Sequence, residues 1–171
     1  MSKARFNRRQ FLESSGRTLA ASSLTAYLPA IAAGKMKYET LDDYTARVLV
    51  RVCRVMFPHD ELNDSYYGTC VEGLDHKAMD DGKLSELLAQ GVNKLDGTSA
   101  GKFLDIDEAG QTRVLASMEG TPFFSAIQGH VVVALYNNPK VWPHFGYEGA
   151  SYPFGGYLER GFDDIDWLPA D

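Results

Sequence analysis

From Thr40 to Pro58, the apolar residues Leu41, Tyr44, Val48, Val52, Val55 and Met56 return at three- and four-residue intervals, the mark of one buried helix face. Thr40-x-x-Asp43 offers a cap at the start of this helix. Pro58 offers a stop, because proline has no N–H and disfavours helical backbone in the residue before it. A polar turn, His59 to Asn63, leads to Asp64 as N-cap of a second helix running through Tyr67, Val71 and Leu74 to about Met79, so the two form a helical hairpin. Leu84, Leu87, Leu88 and Val92 predict a third, shorter helix. Asp107 predicts the cap of a fourth, with Val114, Leu115 and Met118 on its apolar face and Gly120 at its end. Thr121-Pro122 sets a capping hydroxyl before a proline at the first helical position and opens a fifth helix, from Phe123 to Asn137. Its run Val131-Val132-Val133-Ala134-Leu135 is the most apolar stretch of the mature chain and puts this helix at the centre of the predicted core. The same run read alone is also compatible with a buried strand, and the caps that flank it favour helix.

Past Pro139 periodicity ends. Trp142, Phe145, Tyr147, Tyr152, Phe154, Tyr157, Phe162 and Trp167 alternate with Gly146, Gly149, Gly155, Gly156 and Gly161. About 30 residues of this composition are unusual as a free loop in a compact domain and have to rest on something. Either the segment wraps its own helices, or part of it docks on another protein, since aromatic anchors concentrate at interface centres. Asp163, Asp164, Asp166 and Asp171 then form a polar rim or a solvated tail. The expected fold is all-α, a single compact domain of about five helices with a long irregular aromatic and glycine-rich C-terminal segment.

The first 32 residues stand apart. A basic start, Lys3 to Arg9, is followed by a modestly apolar stretch from Thr18 to Ala33, and Asn7-Arg8-Arg9-Gln10-Phe11-Leu12 resembles the twin-arginine export motif. Ala30-Ile31-Ala32 supplies the small residues a signal peptidase requires, so the expected cut falls after Ala32. Ser22, Ser23, Thr25 and Pro29 interrupt the apolar run, which is too short for the ~20 residues of a membrane span. Residues 1–32 thus read as a leader and 33–171 as one domain. Of 17 basic and 23 acidic side chains, five and one fall in the leader, leaving 12 and 22 and a net charge of −10. Such a body lacks the basic footprint that nucleic-acid phosphates need.

Chemistry-bearing residues are few and scattered. His59, His76, His130 and His144 form no metal-ligand spacing; His130, on the core helix, reads as a hydrogen-bonded structural residue and His59 as a surface one. Gly-x-Ser-x-Gly, Gly-x-Gly-x-x-Gly and Cys-x-x-Cys-His are all absent, so no serine nucleophile elbow, dinucleotide loop or attached c-type haem is expected on this chain. The acid pairs Asp42-Asp43, Asp80-Asp81 and Asp163-Asp164 read as caps and solvated faces. Cys53 and Cys70 come at similar heights in the predicted hairpin; a disulfide, two buried thiols and a bond to a partner all remain compatible with the sequence.

Together, the twin-arginine leader, Met56-Phe57-Pro58-His59-Asp60, and Tyr136-Asn137-Asn138-Pro139-Lys140-Val141-Trp142 running into Phe145-Gly146-Tyr147-Glu148-Gly149 resemble subunit 3 of gluconate 2-dehydrogenase over nearly the whole mature chain. That family is the small subunit of membrane-bound, FAD-dependent sugar and sugar-acid dehydrogenases. The resemblance implies a chain without catalytic or cofactor-binding residues of its own, exported by the twin-arginine translocase to the periplasm. Its partners would be a flavoprotein subunit carrying FAD and a multihaem cytochrome c subunit carrying haem c, and it would meet the membrane only through that complex. Its expected role is to export, mature and assemble the flavoprotein, with Trp142, Phe145, Tyr147, Tyr152, Phe154, Tyr157 and Trp167 as the candidate partner interface. The substrate does not follow from the likeness. The alternative is an independent periplasmic enzyme or small-ligand-binding protein whose site no linear motif reveals; a structural envelope protein would leave the export route unexplained.

Overall fold

The structure, a computed structural model, describes residues 38–99 and 101–158. Among them are five α-helices and no strand: α1 Asp43–Met56, α2 Asp64–Asp80, α3 Gly82–Thr98, α4 Glu108–Ser117 and α5 Pro122–Tyr136. Single 3₁₀ turns lie at Phe103–Asp105, Trp142–Phe145 and Tyr152–Phe154.

Local chemistry accounts for the helix boundaries. The cap of α1 is Asp42, whose carboxylate accepts from Tyr44 N, Thr45 N and the Thr45 hydroxyl. Thr40 lies ahead of the cap, and its N–H, with those of Glu39 and Leu41, is given to Asp75, which leaves Asp43 no Thr40 N–H to accept in a capping box. Pro58 stops the helix as expected: Phe57 leaves helical backbone at φ −131°, ψ 71°, and its N–H closes on Cys53 O. Asn63, not Asp64, caps α2. α3 is as long as α2, against the shorter helix expected, because Asp81 ends one and caps the next by accepting from Lys83 N and Leu84 N. Asp107 and Thr121 cap α4 and α5 as predicted.

The centre of the core belongs to α1 and not to α5. α1 packs against all four other helices and buries Ala46, Val48, Leu49, Val52 and Cys53 completely. α5 buries one stripe, Phe123, Ile127, Val131 and Leu135, at four-residue intervals, and the rest of its valine run turns outward, Val133 being 63% exposed. Successive residues step about 100° around a helix, so three consecutive valines cannot share one face. The stripe is set deep by a close approach: α3 presents Gly91 to Phe123, where an added Cβ would come within 1.9 Å of the ring.

The disulfide considered between Cys53 and Cys70 is absent; both cysteines are free and buried. Cys70 Sγ turns back along its own helix toward Tyr66 O at 3.4 Å, and both thiols fill the α1–α2 interface as small apolar groups. Burial pushes the Cys53 thiol up strongly and that of Cys70 to about 11, so neither is a thiolate at neutral pH.

One buried carboxylate organises the entrance to the helices. Asp75, 1% exposed, accepts from Glu39 N at 2.7 Å, Thr40 N at 3.0 Å and Leu41 N at 2.8 Å. Burial opposes its charge, yet the three donors outweigh burial and hold the carboxyl below the ordinary aspartate range.

Candidate functional site

The aromatic segment after α5 divides at Gly149. Its first part is seated on the ends of three helices. Trp142 donates its indole N–H to Tyr136 O at 2.8 Å, Val141 is fully buried, and Phe145 sits edge-on to His59 with ring centres 4.9 Å apart. His59 in turn pairs with the Tyr136 hydroxyl through Nε2 at 2.7 Å, so this residue of the α1–α2 turn belongs to an aromatic cluster and is not the simple surface residue expected. Farther along, His144 Nε2 meets the Tyr66 hydroxyl at 3.1 Å. Phe57, the residue that ends α1, completes the seat: its ring lies edge-on to Tyr136 and its carbonyl accepts from the Tyr67 hydroxyl at 2.6 Å. Partial burial pushes the phenols of Tyr67 and Tyr136 up, so both hydroxyls stay protonated. Gly149, at φ +94°, lies against the indole ring of Trp142, where an added Cβ would come within 3.1 Å of the ring and the backbone would be strained as well.

The second part is held by its own backbone and shows its side chains to solvent. Ser151 O accepts from both Phe154 N and Gly156 N at 2.9 Å, and Gly155 and Gly156 take positive φ to close the turn. From this turn Tyr152 projects with 92% of its surface exposed, Leu158 with 85%, and Phe154 and Tyr157 are largely exposed too. Of the candidate interface residues, Trp142 and Phe145 therefore form the seat, Tyr147 stacks edge-on against Trp142 while half exposed, and Tyr152, Phe154 and Tyr157 form an outward surface. Trp167 lies outside the described residues, as do Arg8, Arg9, Phe11, Leu12, Ala30 and Ala32 of the expected leader.

Beside the seat, an open groove of about 480 Å³ runs between the start of α2 and the end of α5, lined by Ser65, Tyr66, Thr69, Ala134, Asn138 and Lys140. Its hydroxyls are partly engaged: Thr69 donates to Ser65 O and Tyr66 meets His144. No group of three or more His, Cys, Asp or Glu side chains that could hold a metal occurs among the described residues. His130 does not line the groove; it bridges α5 to α2, its Nε2–H donating to Cys70 O at 2.8 Å and its Nδ1 accepting from Lys77 Nζ at 2.9 Å, the structural role expected of it. No helix of the described residues is long and apolar enough to cross a membrane.

The two Tyr–His pairs and the Asp75 clamp were not anticipated from the sequence. The pairs join residues 77 and 78 positions apart, which no local pattern reports. Asp75 did leave a trace: it occupies the buried register of α2 shared by Val71, Leu74 and Ala78, where an acid needs donors. Comparisons of the chain with models of known protein families, with curated proteins and with solved structures find no match.

Proposed function

We propose that this chain is a non-catalytic partner subunit, exported by the twin-arginine route, of a periplasmic, membrane-associated FAD-dependent sugar or sugar-acid dehydrogenase, and that it carries, matures and assembles the flavoprotein. The observation that supports a partner role most directly is the outward turn at 151–156, a hydrogen-bonded structure that holds Tyr152 almost wholly in solvent. Large rigid side chains displayed on an ordered backbone lose little freedom on binding, which is the property of an interface anchor. A body whose net charge after the expected cut is −10 favours a protein over nucleic acid as the partner of that anchor. FAD and haem c belong, in this reading, to the flavoprotein and cytochrome partners.

Replacing Arg8 and Arg9 together by Lys tests the carrier role. Dehydrogenase activity disappears from the periplasmic face and the flavoprotein stays in the cytoplasm; undisturbed periplasmic activity rules the role out. A second reading, an independent periplasmic enzyme or ligand-binding protein, is favoured by the groove beside the Tyr66–His144 pair. Purification separates the two: co-purification with a flavin-yellow polypeptide supports the first, and a stable, active, isolated chain supports the second.

A further inference from the structure

Asp75 takes no part in the aromatic site, yet it is the most thoroughly engaged buried charge among the described residues. Three consecutive backbone N–H groups, those of Glu39, Thr40 and Leu41, converge on its two oxygens from a segment 34–36 positions earlier in the chain. A run of adjacent N–H groups makes an anion-binding concavity, and here the anion is supplied by the middle of α2. The same stretch is fastened at both ends. Tyr38 is half-buried against the core on one side, and on the other Leu41 is buried and Asp42 caps α1. The Asp42 cap is local to α1, but the Asp75 carboxylate reaches this stretch only when α2 has packed against α1, because Asp75 lies on the buried face of α2 together with Leu74 and Ala78.

We propose that Asp75 is a latch on the segment ahead of α1: residues 38–41 open only when the α1–α2 pair itself comes apart, so this segment is fixed only once the hairpin is complete. The consequence for export follows if residues 1–32 are a leader. Five residues, 33–37, separate the expected cut after Ala32 from the latched segment, a reach of at most ~17 Å even when fully extended. Tyr38–Leu41, a few residues beyond the expected cut, are then fixed only in a body whose hairpin has formed, which is the state the twin-arginine route transports. This meaning rests on the export reading, whereas the latch itself does not.

Native-state proteolysis of the full chain with a glutamate-specific endoproteinase tests the latch at the Glu39–Thr40 bond, followed by sequencing of the fragment that begins at Thr40. In the wild-type chain this bond is cut only over the urea range in which helical circular dichroism is lost, because proteolysis tracks the population of the open form. Asp75→Asn keeps the shape but turns one acceptor into a donor facing the backbone N–H groups. It makes the bond cleavable without urea at a rate at least about tenfold higher, with helical signal retained. Should Asp75→Asn unfold the chain, the wild-type coincidence of cutting and unfolding decides alone. Cutting of the wild-type bond well below the unfolding transition overturns the proposal, and so does a folded Asp75→Asn chain as resistant as wild type. Lysine at Arg8 and Arg9 leaves this cleavage unchanged whatever it does to export, so failure of the latch and failure of the export reading are told apart.

Discussion

The helices and the segment that follows them place their large side chains in opposite ways. Between Asp42 and Tyr136 most large apolar residues face inward: Leu49, Leu62, Tyr67, Leu74, Leu88 and Phe103 are all essentially inaccessible. Among the described residues beyond Pro139, full burial of large apolar side chains is limited to Val141, and order comes instead from backbone hydrogen bonds, positive-φ glycines and ring edges laid on the helix ends. The contrast separates two jobs. The first region stabilises the fold by excluding water, and the second displays aromatic surface that contributes little to holding the chain together.

Substitutions sharpen that division. The largest effect belongs to α1: Leu49→Ala, at the helix that touches every other, lowers stability by about 3 kcal/mol, as a buried leucine truncation that leaves a cavity does. Tyr152→Ala removes a larger side chain and changes stability by less than about 0.5 kcal/mol. Urea unfolding of the two variants checks the pair. A Tyr152→Ala cost comparable to that of Leu49→Ala would erase the distinction. The same Tyr152→Ala chain, combined with Tyr157→Ala, loses co-purification with the flavoprotein if the outward turn is the docking surface.

Next comes the closest approach in the body. Gly91→Ala gains helix propensity of about 1 kcal/mol but drives a methyl into the Phe123 ring, and the net loss is about 2 kcal/mol. In a Phe123→Ala background the same Gly91→Ala change loses most of its cost, because the ring atoms the methyl meets are gone. Thermal melts of the single and double variants decide this. At the boundary between the regions, Trp142→Ala removes the donor to Tyr136 O and the ring against which Gly149 lies. It exposes residues 145–158 to chymotrypsin in the native state while shifting the unfolding midpoint of the helices by less than about 1 kcal/mol.

Where the sequence spoke clearly, the structure follows it because the physics is local. Asp107, Thr121-Pro122 and Pro58 set helix ends through groups within three or four residues of themselves, so spacing alone reveals them. Long-range competition explains the misses. Thr40-x-x-Asp43 reads as a capping box, but Asp75 takes the Thr40 N–H from 35 positions away and Asp42 caps the helix instead. The valine run of α5 marks a helix correctly, but composition does not say how many neighbours that helix has, and α1 has more. Cys53 and Cys70 do meet at the α1–α2 interface, yet similar height in a hairpin leaves the direction of each Sγ open, and that of Cys70 points along its own helix. Within the aromatic segment, composition marked the candidate surface but did not separate seat from display, which depends on which rings find Tyr136, His59 and Tyr66.

The smallest expected effect is a pH dependence confined to the body. Burial, and secondarily the Lys77 ammonium beside Nδ1, hold the His130 imidazole below its ordinary value of 6.5, although the Cys70 carbonyl that accepts from Nε2–H favours the charged form. The fold therefore prefers neutral His130, and the unfolded chain takes up this proton first as pH falls. The stabilisation is complete above about pH 6.5 and is lost as pH drops through the lower folded value. Asp75 and Asp42 act in a separate and more acidic window, being held below 3.8 in the fold, and their contribution fades only as carboxylates protonate. Lys77→Met removes the lesser of the two depressing causes, so the His130 midpoint rises part of the way toward 6.5 and the loss of stability between pH 7 and pH 5 becomes shallower without vanishing. His130→Gln abolishes the loss in that window. Titration of the His130 ring protons by NMR, with urea midpoints at both pH values, checks each step, and a wild-type midpoint at or above 6.5 contradicts the bridge as the source of the dependence.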